Sequence, residues 1–166
     1  MVSPELIRRY PFFAGLEHEH IVTLAGAADE VTVEEGHYFF REGEDLCCFY
    51  VVMEGAVAIL VELPDQEAEQ SLAGQLTGEL HTREVVISTV GPGEVFAWSG
   101  IVPPHKATAI AKALTPCRVI AFDCKQLLKA FEEDHRFGYL MMQKAAQVIR
   151  DRLRDTRIQS LAYVAE

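Results

Sequence analysis

The residues whose types and spacing best fit a binding site lie at positions 90–111, which read VGPGEVFAWSGIVPPHKATAIA. The glycine–proline turn at 91–93 ends a strand, because proline lacks an amide donor and glycine favours positive φ. The small residues at 97–101 can form one short helical turn, which the following pair of prolines ends. Lys106 is the only fixed cation before the next apolar strand. Backbone amides at a helical start beside one ammonium group are suited to hold a small anion.

Composition limits the class of protein. The chain has 166 residues, of which 49% are hydrophobic and 24% charged, so it can bury the core of one domain. Its formal net charge of -10 disfavours contact with phosphate backbones. No apolar run reaches the roughly 20 residues of a membrane span, and the N-terminus lacks the apolar core of a signal peptide. We therefore expect a cytoplasmic protein with neither direct DNA binding nor a membrane partner.

Helices are predicted at both ends of the chain. Ser3, which is followed by proline, has the type of an N-cap, and a second short helix is predicted over 17–28. Asp123 is the predicted N-cap of a helix that ends near position 133, and a longer helix follows over 134–161.

Short apolar runs separated by glycine turns fill the region between these helices, a pattern that is typical of strands. Many short strands at this spacing favour a β-sandwich or roll over α/β alternation. The predicted strands are 31–33, 37–41, 49–53, 56–62, 83–89, 107–113 and 118–122. We interpret the polar interval 64–82 as a mobile loop between two strands, not as a domain boundary.

Two segments resemble the cyclic-nucleotide-binding domain family. Residues 90–111 resemble its phosphate-binding cassette, which has a glycine turn, F-G-E, a short helix and P-R-x-A before the next strand. An upstream segment follows the family's run G-x-x-x-F-x-E-G-x-x-x-x-x-x-Y-x-V-x-x-G. The matching upstream residues are Gly36, Phe40, Glu42, Gly43, Asp45, Phe49, Tyr50, Val51, Glu54, Gly55 and Val57.

This resemblance implies the fold and the domain organisation. It implies one domain over 1–166, mainly β with flanking helices, built on a jelly-roll β-roll of the double-stranded β-helix type. The implied parts are short N-terminal helices at 1–30, the β-roll at 31–122 with the cassette at 91–108, and C-terminal helices at 123–161.

The resemblance also implies a ligand site. In the family, a glycine follows the phenylalanine, the next glutamate binds the ribose 2′-hydroxyl, and an arginine pairs with the cyclic phosphate. Here the first two positions read Ala97 and Trp98. The third falls on Ala107 if eleven residues are counted from Phe96, or on Lys106 by the better local match to a P-P-x-R-x-T-A variant that carries W-S. The candidate ligand-binding residues are Phe96, Ala97, Trp98, Ser99, Gly100, Lys106, Ala107 and Thr108.

Trp98 changes the chemistry that the resemblance implies. The indole group is a donor only, so it cannot accept a hydrogen bond from a ribose hydroxyl. Its ring can fill the ribose or base pocket, or stack on a different planar ligand. No resident cofactor is predicted, and the candidate effectors are cyclic AMP and cyclic GMP.

The implied function is that of a non-enzymatic sensor. An anion bound at the amides of 97–100 and at Lys106 reorders the short helix, and this shifts the C-terminal helices. The alternative is a ligand-free dimerisation or adaptor domain in which Trp98 plugs the pocket and an unknown protein is the partner.

The long C-terminal helix carries a stripe that advances by four, three and four residues, as in a coiled coil. We interpret it as the interface of a homodimer, as in the family, with packing on the β-roll as the alternative for its first two turns. The stripe consists of Met142, Ala146, Ile149 and Leu153.

Two other classes fit less well. A metal-dependent cupin enzyme needs several histidines and a glutamate, whereas His37 stands alone in its predicted strand. A transcription factor of the catabolite-activator type needs a helix-turn-helix domain of about 60–80 residues after the long helix. Five residues follow position 161 here, so we expect no direct operator binding if the sequence is complete.

The remaining candidates for metal or redox chemistry are histidines and cysteines. We expect His18 and His20 to be exposed to solvent, because residues two apart point to different sides of a helix. The four cysteines lack metal-binding spacing, and we expect buried free thiols.

Overall fold

The computed structural model of the protein describes residues 1–64 and 82–165. The predicted loop at 64–82 therefore lies, apart from its two end residues, outside the described residues. The chain forms two compact units, Glu30–Ala121 and the combination of Met1–Asp29 with Phe122–Glu166.

The unit Glu30–Ala121 is built from strands. They are β1 (Ala28–Val33), β2 (Tyr38–Phe40), β3 (Cys48–Glu54), β4 (Val57–Pro64), β5 (Thr82–Val90), β6 (Val95–Phe96), β7 (Ile110–Ala113) and β8 (Cys117–Asp123). Within residues 1–64 and 82–165 these strands form two four-stranded sheets, with the orders β1-β8-β3-β6 and β2-β7-β4-β5. The predicted mainly β class is confirmed.

A glycine forms the turn by which the chain passes from β3 in one sheet to β4 in the other. Gly55 has φ of +93°, and a Cβ atom at this position would lie only 2.5 Å from the carbonyl oxygen of Pro116. A side chain is therefore excluded by both the backbone conformation and the space. Beyond this turn, β4 pairs with β5 over its whole length, from Val57 opposite Val90 to Pro64 opposite Thr82.

The core of this unit takes apolar residues from both sheets. Its fully buried side chains include Phe49, Val51, Val52, Val57, Phe96, Ile110, Val119 and Ile120. Phe96 belongs to the predicted cassette, so the candidate site is anchored in the core by this side chain.

One strand is shorter than the sequence predicts. A strand was expected over 107–113, but β7 begins at Ile110. The amide of Ala107 donates to the carbonyl of Glu44 at 2.8 Å, and its carbonyl accepts from the amide of Gly43 at 2.9 Å. Because its backbone groups bond to this loop, Ala107 does not join the ladder of β7.

The second unit is helical. Its helices are α1 (Pro4–Arg8), α2 (His18–Gly26), α3 (Cys124–Glu133) and α4 (His135–Val164), with a 3₁₀ turn at Pro11–Phe13. The predicted caps are present, since Ser3 accepts from the amide of Leu6 and Asp123 accepts from the amide of Gln126. None of the described helices combines the length and the apolar character that crossing a bilayer requires.

The long helix α4 has two distinct apolar faces. The residues that it buries are Phe137, Gly138, Met141 and Ala145. In the predicted stripe, Met142 and Ile149 are half-buried, whereas Ala146 and Leu153 are exposed. A helix turns by about 100° per residue, so this stripe is a separate face about a quarter-turn from the buried one. Dimerisation through the stripe stays a prediction.

The expectation that His20 is exposed to solvent is wrong, since its side chain is buried. Its Nδ1 accepts from the amide of Glu17 at 3.3 Å, so the proton resides on Nε2 and is donated to Asp134. The ring also stacks on Phe137, with 4.7 Å between the ring centroids. His18, two residues earlier, is exposed as expected.

None of the four cysteines forms a disulfide, and only two of them are buried. Cys117 and Cys124 are buried as expected, and Cys48 at the start of β3 is half-buried. Cys47 is exposed, so the expectation of a buried thiol is wrong there. This residue precedes β3 and lies outside its ladder.

Candidate functional site

The cassette, defined here as residues 91–108, begins with a turn that is fastened to β3. The amide of Gly93, whose φ is +85°, donates to the carbonyl of Val52 at 2.8 Å, and the amide of Val52 donates to the carbonyl of Glu94 at 3.0 Å. The carboxylate of Glu94 accepts from the amide of Gly91 at 2.7 Å. The start of the cassette is therefore fixed by the backbone of a buried strand.

Aromatic packing holds the next residues in place. Phe96 lies in β6 and stacks on Tyr50, with 4.9 Å between the ring centroids and an interplanar angle of 14°. Phe39 packs edge-on against the ring of Phe96, with 5.0 Å between the ring centroids. The predicted site residue Phe96 thus acts as an anchor in the core, with its side chain 1% exposed.

The short helix follows at once and occupies Trp98–Ile101 as one 3₁₀ turn. Ala97 is its N-cap and has left-handed backbone angles, with φ of 61° and ψ of 28°. This is the position where the family carries glycine, which adopts such angles without steric cost. Ser99 and Gly100 are buried, while the ring of Trp98 is half-buried. Trp98 therefore does not lie fully inside the core.

A histidine closes the loop after the helix. The amide of His105 donates to the carbonyl of Val102 at 2.9 Å. Its side chain donates from Nδ1 to the carbonyl of Gly100 at 3.0 Å, which fixes the proton on that nitrogen. His105 also has a positive φ of 63°. Two left-handed residues, Ala97 and His105, thus bracket the segment between them.

The cation of the cassette already has a partner. Lys106 Nζ lies 2.8 Å from Asp45 Oδ1, and the two residues are also paired through an isolated backbone bridge. The Lys106 side chain is 53% exposed, so water and small anions can reach the ammonium group.

The alignment leaves open whether Lys106 or Ala107 contacts the phosphate, and these two residues have different surroundings in the structure. Ala107 is buried and uses its backbone groups on the loop at 43–44, so it offers a ligand neither a charge nor a free backbone group. Thr108 is exposed. Lys106 is the only Lys or Arg within 91–108. The geometry therefore favours Lys106 as the anion-facing residue, which stays a prediction.

The chemistry that this arrangement can perform is recognition. The amides of Trp98 and Ser99 precede the first hydrogen bond of the 3₁₀ turn, which runs from Gly100 to Ala97. Together with the Lys106 ammonium they are donors suited to the oxygens of an anion. Among residues 1–64 and 82–165, no group of three or more His, Cys, Asp and Glu side chains is placed to hold a metal ion.

Sequence reasoning did not identify Asp45 and His105 as parts of the site. Asp45 lies 61 positions before Lys106, and no local pattern links the two residues. The signal was present only in the upstream motif, in which Asp45 follows the glycine of the turn. His105 follows the pair of prolines, and no sequence pattern assigns it a role.

The sequence profile of the cyclic nucleotide-binding domain family matches residues 30–134, more than half of the chain. This chain belongs to that family. The match contains the whole cassette and the upstream glycine run, so the resemblance inferred from these two segments is confirmed.

The chain is also similar to a CRP-like cAMP-activated global transcriptional regulator of Mycobacterium tuberculosis, with 27% identity over 119 residues. The alignment covers 72% of this chain and 46% of the regulator, so the chain spans about half the length of that relative.

Solved structures show the same fold. A protein of Geobacter metallireducens, described as a cyclic nucleotide-binding protein, has a TM-score of 0.75 and 25% identity, over 92% of this chain and 99% of that chain. A cyclic nucleotide-binding domain from Methylobacillus flagellatus has a TM-score of 0.73 over 96% of this chain and 80% of that chain. Its identity is only 14%, so this second likeness concerns the fold alone. The predicted β-roll of this family is confirmed.

Proposed function

We propose that this chain is a non-enzymatic regulatory module whose cassette binds a small anionic ligand of the cyclic nucleotide class. The observation that carries the proposal is the geometry of the segment from Ala97 to Lys106. Its left-handed first residue, its buried small residues and its one ammonium group form the arrangement that an anion needs.

The predicted affinity is modest because of two replacements. Trp98 stands where the family has a glutamate, and a hydrogen bond of that charged kind contributes roughly 1.5–3 kcal/mol, or about one to two decades in affinity. Lys106 keeps a positive charge, but it lacks the two-pronged geometry of an arginine on a phosphate.

We further propose that binding is passed on to the helical unit. Asp123 is both the last residue of β8 and the N-cap of α3, so the strand continues into the helix without a loop. A change in the β-roll can thus reach α3 and then α4 along the chain. In this proposal α4 forms a homodimer in the cytoplasm through Met142, Ala146, Ile149 and Leu153. The absence of DNA contact stays a prediction that rests on the net charge of -10.

A second candidate function is that of a ligand-free adaptor domain. Two observations favour it: the Lys106 ammonium is already paired with Asp45, and the half-buried Trp98 occupies part of the cassette. In that case a protein partner of α4, not a small molecule, determines the output.

Isothermal titration with cyclic AMP and cyclic GMP separates the two functions. The wild-type chain should bind with micromolar affinity or tighter, and Lys106→Ala should bind at least tenfold more weakly through the loss of the charge. Lys129→Ala is the matched control, because it removes an exposed lysine from α3. Trp98, the only tryptophan, gives an independent fluorescence signal for occupancy. No heat and no change in fluorescence at millimolar nucleotide would favour the adaptor.

A further inference from the structure

The end of the cassette is fastened to a strap, defined here as residues 43–46. Besides the two bonds that Ala107 makes with Gly43 and Glu44, the amide of Leu46 donates to the carbonyl of His105 at 2.9 Å. Three backbone hydrogen bonds thus align the strap with residues 105–107.

This alignment determines which side chains meet. Asp45 and Lys106 face each other as backbone bridge partners, and the carboxylate lies 2.8 Å from the ammonium nitrogen. The acidic character of the strap region is not limited to Asp45, since Glu42 and Glu44 precede it and are exposed. The one cation of the cassette is therefore neutralised by a carboxylate that the backbone holds beside it.

We propose that Asp45 is a built-in counter-anion, which an anionic ligand must displace from Lys106 before it can bind. This inference rests on the proposed function and concerns the regulation of that same site. Asp45 thereby lowers the affinity of the cassette for an anion, and the backbone hydrogen bonds of the strap place it beside Lys106.

The physical basis is an exchange of one anion for another. A cyclic phosphodiester carries a single negative charge, as does the Asp45 carboxylate, so replacing one by the other at Lys106 gains little electrostatic energy. Both side chains are largely in water, at 53% and 83% exposure, which keeps the competing pair weak. The expected effect of removing the competitor is therefore about three- to tenfold in affinity, and it should shrink as salt is added.

The test is a calorimetric titration of cyclic AMP into four proteins: the wild-type chain, Asp45→Asn, Lys106→Ala and the double variant. Asp45→Asn should bind about three- to tenfold more tightly than the wild type, because the side chain keeps its size and loses its charge. In the Lys106→Ala background the same substitution should have no effect, since there is no ammonium to release. Glu42→Gln is the matched control in the adjoining turn, and it should change affinity by less than about twofold.

Inorganic phosphate is a second probe, which tests the anion exchange without the sugar or the base. Its binding is followed by NMR through the amides of Lys106 and Asp45. Tighter phosphate binding by Asp45→Asn, together with no binding of cyclic nucleotides, would support the counter-anion and refute the nucleotide part of the proposed function. Binding that is detectable only in Asp45→Asn would also support the inference.

Two results would overturn it. Unchanged or weaker binding by Asp45→Asn, with normal binding by the wild type, would refute the counter-anion and leave the proposed function intact. Failure of all four proteins to bind either probe, with circular dichroism confirming that they are folded, would refute both.

Discussion

His20 Nε2 donates a hydrogen bond to Asp134 Oδ2 at 3.0 Å, and this bond joins the start of α2 to the start of α4. Asp134 is at the same time the N-cap of α4, since it accepts from the amide of Phe137 at 3.1 Å. One carboxylate thus satisfies both a helix terminus and a buried imidazole.

We predict that His20→Ala lowers the free energy of unfolding by about 2–3 kcal/mol. The substitution removes a buried ring that stacks on Phe137 and leaves a cavity beside it. Urea denaturation followed by far-UV circular dichroism measures the change. The control is His18→Ala on the exposed side of α2, which should stay within about 0.5 kcal/mol of the wild type. Equal effects of the two substitutions would contradict a structural role for His20.

Acid should weaken the fold partly through Asp134. The amide of Phe137 and, to a smaller extent, the His20 ring hold the pKa of this carboxyl below its ordinary value. A carboxyl whose pKa is lowered in the folded state contributes stability above its unfolded pKa, near 3.9, and this contribution is lost as the pH falls through the folded value.

Urea unfolding of the wild type and of Asp134→Asn at a series of pH values tests this sign. The stability difference between the two proteins should shrink as the pH falls below about 4. A difference that does not change down to pH 3 would show that Asp134 does not titrate as we predict.

Ala97→Gly should stabilise the chain, although it removes a side chain. Ala97 has φ of 61°, a conformation that is costly for residues with a Cβ atom, so we expect a gain of about 0.5 kcal/mol in the free energy of unfolding. The matched control is Ala107→Gly, which makes the same chemical change at a buried alanine without a positive φ and should destabilise by about 1 kcal/mol. Chemical denaturation of both variants tests this contrast, which a loss at both positions would contradict.

Leu153→Asp should convert the proposed homodimer to a monomer. The residue is exposed in the stripe, so the folded chain should tolerate the charge while a helix–helix interface should not. Ile158→Asp is the control, because Ile158 is similarly exposed but lies about 140° around the helix from Leu153. Sedimentation velocity at micromolar concentration distinguishes the two species. A wild-type monomer, or equal dissociation of both variants, would refute this interface.

Local chemistry explains why the helices and most strands could be predicted. Ser3 and Asp123 each accept from the amide three residues further on, so their role depends only on neighbouring positions. Glycine turns such as Gly55 mark strand ends for a similarly local reason. The type and order of the elements therefore followed from short stretches of sequence.

Long-range contacts account for what could not be predicted. The strand β7 begins at Ile110, later than predicted, because Ala107 forms hydrogen bonds with a loop that precedes it by more than 60 positions. The burial of His20 depends on Asp134, which lies 114 positions later. In the site, the small residues and Lys106 were recognised from their spacing, whereas the Asp45 carboxylate beside the lysine was not.

The two fastenings of the cassette lie at opposite ends of the same stretch of chain, with Val52 holding its start and Leu46 holding its end. The residues between these anchors include the buried Phe49 and Val51 of β3. The packing of the core therefore fixes the distance between the two anchors. A residue inserted between Ala97 and His105 should consequently leave both ends of the cassette in place. An insertion within residues 46–52 instead alters the span itself, and would shift the cassette and the core together.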